Sequence, residues 1–574
     1  MSKSDSRTVA AKIVQALKRH EVTVVFGQSL PSALILAAES NGIKQLAYRQ
    51  ENAGGAMADG FSRVSGKVGV VTAQNGPAAT LLVPPLSEAL KASTPIVALV
   101  QEVERAQVDK NAFQELDHFA LFKSCTKWIR TLPAADRVDD YIDAAFIAAT
   151  SGRPGPAVLL LPADLLKEPC TGRGDTRLKN YGRWPLDRVR PATKELRQAA
   201  ASIAAAKSPV VLCGGGAVSS QASKAIQRLQ ELAHLPVFTT FMGKGAAVET
   251  HLLSCGVLGA LVGPRSLGRH SRPLLDEADL VLLIGTRTNQ NGTDSWRLIP
   301  RGAHLIHIDM DPQEIGRNYE ADRLVGDASE TVSALCDELA PLDLALRAAA
   351  RAPLEARIKG FWQSFEADRQ EVRSADRTPI RPERVMASLQ SILDTDSIVV
   401  ADASYSSMWI LGQLRSHSSH QQFIAPRGLA GLGWGLPLAI GAKTAAPARK
   451  VIAVVGDGGF AHSWAELETL VRHEIAITVV VLNNGVLGFQ KDAETVKFGA
   501  YTSACHFAAV DHAAIARACG CAAEQVTRPV ELAAAFHRAA SSTKPYLIEV
   551  IADPNAHPPL SLFAALPEAD SAIA

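Results

Sequence analysis

Ten short runs of Val, Ile and Leu recur along the 574 residues, among them "VGVVTA", "PAVLLLP", "ADLVLLIG", "KVIAVVGDG" and "ITVVVLNN", with helical patterns between them. Such runs lack the alternation of a half-exposed strand, so they read as strands buried on both faces. Repeated strand–helix units need right-handed crossovers and therefore parallel sheets covered by helices on both sides. There are too many strands for one sheet. The expected fold class is α/β, with three doubly wound parallel-sheet domains.

Two stretches break the pattern. Residues 170–195 are polar and rich in Gly, Pro and Arg, and residues 340–380 carry a charged, Ala-rich helical pattern ending in "RTPIRPER". Cutting there gives domains over 1–170, 195–340 and 378–574. An apolar content of 47% with 20% charged residues excludes a disordered or fibrous chain. A net charge of +1 offers no electrostatic footprint for nucleic acid or an anionic membrane. No run of about 18 apolar residues occurs that could span a bilayer. The eight cysteines show neither C-x-x-C nor zinc spacing, so no disulfide framework or structural metal is indicated, and Cys519 and Cys521 read as buried thiols. The N-terminus "MSKSDSRTVAAKIVQAL" passes from polar residues into an amphipathic helix without an apolar signal region. A cytoplasmic protein with a small-molecule partner is the expectation.

One run ends abruptly. In "VIAVVGDGGFAHS", residues 451–463, the acid Asp457 stands among glycines at the end of a buried strand. A carboxylate there requires water or a positive partner, and bare glycine backbone lets a bulky group approach. Ser463 and Glu466 have capping-box spacing and should open a helix, "SWAELETLVR". A second strand then ends at Asn483-Asn484. The crossover points both strands the same way, so Asp457 and Asn484 should emerge at one carboxyl edge, where open α/β sheets bind ligands. A carboxylate and an amide carbonyl are hard oxygen donors suited to Mg²⁺, which keeps phosphate oxygens for its remaining positions. Gly458, Gly459 and the following helix start would present N–H groups to a diphosphate. Singly, GDGG and NNG are ordinary turns; the pairing at this spacing carries the reading.

"GDG", some twenty-odd residues and then "NN" resembles the signature of the thiamine-diphosphate enzymes. That resemblance implies that Asp457, Asn484 and the backbone carbonyl of Val486 hold Mg²⁺, and that the metal holds the diphosphate. Residues 46–100, beginning "LAYRQENAGGAMADG", resemble the N-terminal domain of acetolactate synthases, which gives Glu51 the task of hydrogen-bonding the aminopyrimidine ring. A glutamate desolvated against a ring nitrogen has a raised pKa and can share its proton. "GLAGLGWGLPLAIGA", residues 428–442, resembles the segment that supports the cofactor in its bent shape, with Leu432 as the prop beside Gly431. In such enzymes the glutamate and the metal site meet across a subunit boundary, which implies a homodimer or homotetramer. No regulatory subunit is indicated.

The resemblance covers nearly the whole chain and follows the acetolactate synthases most closely. It implies a 2-oxo acid such as pyruvate as donor, a second carbonyl as acceptor, and Phe113, Gln114 and Lys127 lining the pocket or its access channel. In the middle block, "LCGGGA" after one strand and "HIDMDP" at the end of another suit a dinucleotide. Relatives hold FAD, ADP or nothing here, and FAD is the leading expectation. The chain also departs from the pattern. "RTNQNGTD" (287–294) keeps Arg287 but puts Gln290 and Asn291 where those enzymes carry an acid and an arginine that grips the acceptor carboxylate, and an amide cannot replace a bidentate charge-assisted contact. Ser406 and Ser407 replace larger diphosphate contacts, and Leu81 replaces an Asn. These changes keep two alternatives open: a decarboxylase or C–C bond lyase of the same superfamily, and a homologue that binds nucleotide without catalysis.

Overall fold

The structure, a computed structural model, describes residues 7–170 and 177–566. Its N-terminal unit runs β1 (Arg7–Thr8), β2 (Val24–Phe26), β3 (Lys44–Leu46), β4 (Gly69–Ala73), β5 (Ile96–Glu102), β6 (Trp128–Thr131), β7 (Ala157–Pro162) and β8 (Pro169–Cys170). β1 pairs antiparallel with β8, and the other six form a parallel sheet in the order β3-β2-β4-β5-β7-β6. The central sheet is built from β9 (Pro209–Cys213), β10 (Val237–Thr239), β11 (Ser254–Val257), β12 (Leu280–Ile284), β13 (His304–Asp309) and β14 (Asp322–Val325), in the order β11-β10-β9-β12-β13-β14. The C-terminal sheet contains β15 (Ile398–Ala401), β16 (Gln422–Ile424), β17 (Val451–Gly456), β18 (Thr478–Asn483), β19 (Ala522–Val526) and β20 (Tyr546–Ile551), in the order β16-β15-β17-β18-β20-β19. The expected α/β class with three doubly wound sheets is what forms. Central strands such as β4, β12 and β17 are buried along almost their whole length, which is why their sequences are continuously apolar.

Strand order reverses between β2 and β4, between β9 and β12, and between β15 and β17. Crevices at the carboxyl ends of such reversals are where open α/β sheets take ligands. The first and last units share one apolar core through the helices Glu51–Ser65 and Gly435–Ala445. Two glycines permit this contact. A Cβ on Gly441 would lie 1.9 Å from the Met57 carbonyl oxygen, and one on Gly60 would lie 2.1 Å from that of Leu438.

Of the first expected linker, residues 171–176 lie outside the described residues, and the part that follows is irregular, apart from a bridge between Lys67 and Arg183, as far as the helix Thr193–Ala205. The charged stretch over 340–380 forms one 30-residue helix, Ala345–Ser374. It is docked on the central unit: Arg357 pairs with Glu277 at 2.6 Å, and the Trp362 indole donates to the Ser254 carbonyl at 3.0 Å. The amphipathic helix near the N-terminus is Val9–Arg19. Among the described residues no helix is long and apolar enough to cross a membrane. All eight cysteines are free, Cys521 buried and Cys519 half-buried.

Candidate active site

β17 and β18 are parallel neighbours, with Gly456 opposite Leu482, so Asp457 and Asn484 leave the sheet side by side. The Gly485 N–H donates to Asp457 Oδ2 at 2.9 Å, and the Val486 N–H donates to Asn484 Oδ1 at 3.2 Å. Asp457, Asn484 and Val486 line one small cleft of about 60 Å³ at the reversal between β15 and β17, together with Leu432 and Ser406. Gly458 and Gly459 complete its floor. Asp457 is buried and receives backbone N–H groups, with no ion pair among the described residues, and burial pushes its carboxyl up to about 6. A buried carboxylate in that state is stabilised by a cation. No group of three or more His, Cys, Asp or Glu side chains among the described residues could hold a metal. The donor set here is instead one carboxylate, one amide oxygen and one backbone carbonyl, the hard-oxygen chemistry that fits Mg²⁺.

Two details of the turn differ from expectation. A single helical turn, Asp457–Phe460, starts at the acid itself, and the longer helix begins only at Glu466. The Ser463–Glu466 capping box does not form. Glu466 instead sends its carboxylate out of the C-terminal unit, accepting the N–H groups of Arg49 (3.1 Å) and Gln50 (3.2 Å) and the Thr469 hydroxyl (2.7 Å). Ser407 turns away from the cleft: its hydroxyl donates to the Ser404 carbonyl at 2.8 Å and accepts from Arg427 at 3.3 Å. Gly431 lies outside the lining, so close to the Trp434 ring that a Cβ there would fall 2.6 Å from it.

Asp402, at the end of β15, is a site residue that motif reading missed. It is fully buried and accepts N–H groups from Ala403, Gly433, Trp434 and Gly435 at 2.9–3.3 Å. Burial pushes its carboxyl upward while these donors pull it down. Gly459 must lack a side chain because a Cβ would lie 2.1 Å from Asp402 Oδ2. Nothing in the sequence near position 402 signals this, because its partners are backbone groups.

Glu51 opens its helix, where an acid is favoured by the macrodipole. Its neighbour Asn52 accepts the Trp434 indole N–H at 2.9 Å. No described residue of the N-terminal unit lines the Asp457 cleft of the same chain, so Glu51 is not brought to it within one copy. Gln114 sits beyond the end of β4, where Gln74 donates to its side-chain oxygen at 2.8 Å and Asn75 to its carbonyl at 3.1 Å. Phe113 projects outward with 83% of its surface exposed. The Lys127 ammonium donates to the Ser151 carbonyl at 2.9 Å and is pushed down to about 8 by burial and by Arg153. Neither Phe113, Gln114 nor Lys127 lines the cleft.

Three family models match in chain order: thiamine pyrophosphate enzyme, N-terminal TPP binding domain, over residues 7–121; central domain, over 196–335; and C-terminal TPP binding domain, over 402–550. The chain belongs to the thiamine pyrophosphate enzymes. Among its relatives is a probable acetolactate synthase large subunit of Methanocaldococcus jannaschii, 31% identical, with 95% of this chain and 92% of that protein covered. An acetolactate synthase of Mycobacterium bovis is 29% identical over 95% and 88% of the two chains. The acetolactate synthase isozyme 3 large subunit of Escherichia coli is 29% identical over 91% and 90%.

This thiamine pyrophosphate enzyme has a second, larger cleft of about 230 Å³ at the central reversal. Gly215 and Gly216 after β9 and Asp309 at the end of β13 line it, as do Arg287 and Asn291. Gln290 is exposed and lies outside this lining. Burial pushes the Asp309 carboxyl up to about 6. Arg427 also lines this cleft and is pushed down to about 10 by burial; it stands 5.2 Å over the Phe241 ring and makes no ion pair among the described residues. Arg287 likewise makes none, and burial lowers its pKa.

Proposed function

We propose that this enzyme removes CO₂ from a 2-oxo acid such as pyruvate and transfers the acyl-anion equivalent to a second carbonyl compound, as a transferase of the acetolactate synthase type dependent on thiamine diphosphate and Mg²⁺. The observation that carries the reading is the gathering of Asp457, Asn484 and Val486 round one cleft at a strand-order reversal, with the acid buried and making no ion pair among the described residues. Asp457, the Asn484 amide oxygen and the Val486 carbonyl would hold the metal. Gly458, Gly459 and Ser406 would receive the diphosphate, and Leu432 would support the bent cofactor. When bound, thiamine diphosphate supplies the acidic carbon and the electron sink. Glu51 would hold a proton at the aminopyrimidine nitrogen, a task that needs a carboxyl desolvated against the ring. Since one copy lacks an N-terminal-unit residue in its own cleft, Glu51 and Gln114 would come from a second copy, in a homodimer or homotetramer.

The central cleft suits a dinucleotide, for which FAD is our reading. Two guanidinium groups that make no ion pair among the described residues favour an anionic ligand, and Asp309 stands where a ribose hydroxyl would be recognised. The domains would run over 1–170, 195–340 and 378–574, in a cytoplasmic protein. Incubating the purified protein with thiamine diphosphate, Mg²⁺ and pyruvate tests the proposal. Acetolactate with CO₂ supports it. Acetaldehyde as sole product would favour a decarboxylase, in keeping with Gln290 and Asn291, and no CO₂ from any 2-oxo acid would contradict both.

A further inference from the structure

The short loop that carries Leu432 is gripped from two sides by carboxylates. From the N-terminal unit, Glu88 on the helix Val83–Ala92 accepts the N–H groups of Gly428 (2.7 Å), Leu429 (2.5 Å) and Ala430 (3.2 Å). From the C-terminal unit, Asp402 accepts those of Gly433 (2.9 Å), Trp434 (3.1 Å) and Gly435 (3.3 Å). Both acids are buried. Only Gly431 and Leu432 lie between the two grips. The Trp434 indole adds a tie to Asn52, next to Glu51.

The Glu88 side of the loop is not a piece of core, although Trp434 on the Asp402 side is. Leu429 is 53% exposed and Ala430 is exposed with φ +62°, so apolar packing does little to fix either. A segment with few buried contacts opens easily unless its backbone is tied down. A buried carboxylate is itself expensive unless hydrogen-bonded, and charge-assisted bonds to N–H groups are the strong ones. Three donors from the loop on each acid meet both requirements at once. Nearby, Arg63 lies 3.7 Å from Glu88 and donates to the Ala425 carbonyl at 3.1 Å, which steadies the approach to the loop.

We propose that Glu88 and Asp402 are positioning residues for the reaction: as a two-sided clamp on 428–435 they hold Leu432 at a fixed place over the Asp457 cleft. This rests on the reading of Leu432 as the support of the bent cofactor. A displacement near 1 Å at such a support costs on the order of 100-fold in rate without removing any cofactor contact. The clamp therefore acts on turnover rather than on cofactor affinity.

Glu88→Gln keeps the volume but turns an amide donor toward the Leu429 and Ala430 N–H groups. Three measurements on the full-length protein read its effect: amide hydrogen exchange over 428–435 without cofactor, the Kd for thiamine diphosphate in Mg²⁺, and deuterium uptake at the cofactor C2 beside kcat. Glu88→Gln is expected to speed exchange at 428–430 and to lower C2 uptake and kcat together by about 100-fold, with Kd near the wild-type value. Combined with Leu432→Ala, it should add nothing to the loss that Leu432→Ala causes alone. Asp402→Asn, which spoils the other grip, should speed exchange at 433–435 and lower C2 uptake and kcat together in the same way, while Kd is read on Glu88→Gln because Asp402 itself lines the cleft. Unchanged exchange in both variants, or losses that multiply with Leu432→Ala, would overturn the clamp. A wild-type protein that fails to bind thiamine diphosphate would instead overturn the reading of the cleft, and the clamp's purpose with it.

Discussion

Asp402 and Asp457 end adjacent strands of one sheet, yet their surroundings give them different work. Both line the cleft, but Asp402 is held by four backbone N–H groups of its own unit, whereas Asp457 makes no ion pair among the described residues and burial pushes its carboxyl up. Replacing Asp457 with Ala should abolish Mg²⁺-dependent retention of thiamine diphosphate on gel filtration while leaving the far-UV circular dichroism intact. Ser404, which lines the same cleft, has φ +62° and ψ −142°, a conformation natural only to glycine. Ser404→Gly is expected to raise stability by about 1 kcal/mol after the larger unfolded-state entropy of glycine is counted, read as a higher thermal midpoint. Asp457 and Asn484 were legible in the sequence because a strand-helix-strand round trip fixes where two side chains must meet. Asp402, Glu88 and Glu466 were not, since each binds backbone N–H groups, which have no residue signature, and Glu88 finds its partners 340 or more positions away.

At the scale of elements, the buried strands were readable because burial on both faces forces a continuous apolar run. Helix starts were less so: Ser463 and Glu466 match a capping box, but a backbone from another unit competes for the Glu466 carboxylate and wins. The same tertiary logic governs the paired helices Glu51–Ser65 and Gly435–Ala445, whose sequences look merely rich in small residues. Their closeness is set by Gly60 and Gly441, each facing a backbone carbonyl of the other helix. Gly441→Ala should force the helices apart at a cost of about 1–3 kcal/mol. Chemical denaturation would show the lost stability, and limited proteolysis should cut between the units sooner than in the wild type. Because the Glu51 helix moves with this contact, turnover should fall too, whereas Gly360→Ala, with open space at a mid-helix position, should leave turnover unchanged and raise stability by about 1 kcal/mol.

For the molecule as a whole, the first and last units share one strand order and the central unit has another, yet each has a strand-order reversal near the middle of its sheet, and two of these form clefts of very different size. The overall architecture followed from alternation of runs alone; which units face one another did not, because those contacts depend on glycine positions and isolated buried acids. In the proposed assembly the site is shared, with Glu51 of one copy meeting Asp457 and Asn484 of another. Subunit mixing tests this directly. Glu51→Gln and Asp457→Ala are each expected to be nearly inactive. When the two are unfolded, mixed in equal amounts and refolded, half the dimers are hybrids with one intact site of two, so about one quarter of the wild-type activity should return. Activity that stays at the level of the separate variants, in a mixture shown by mass to contain hybrids, would contradict the account.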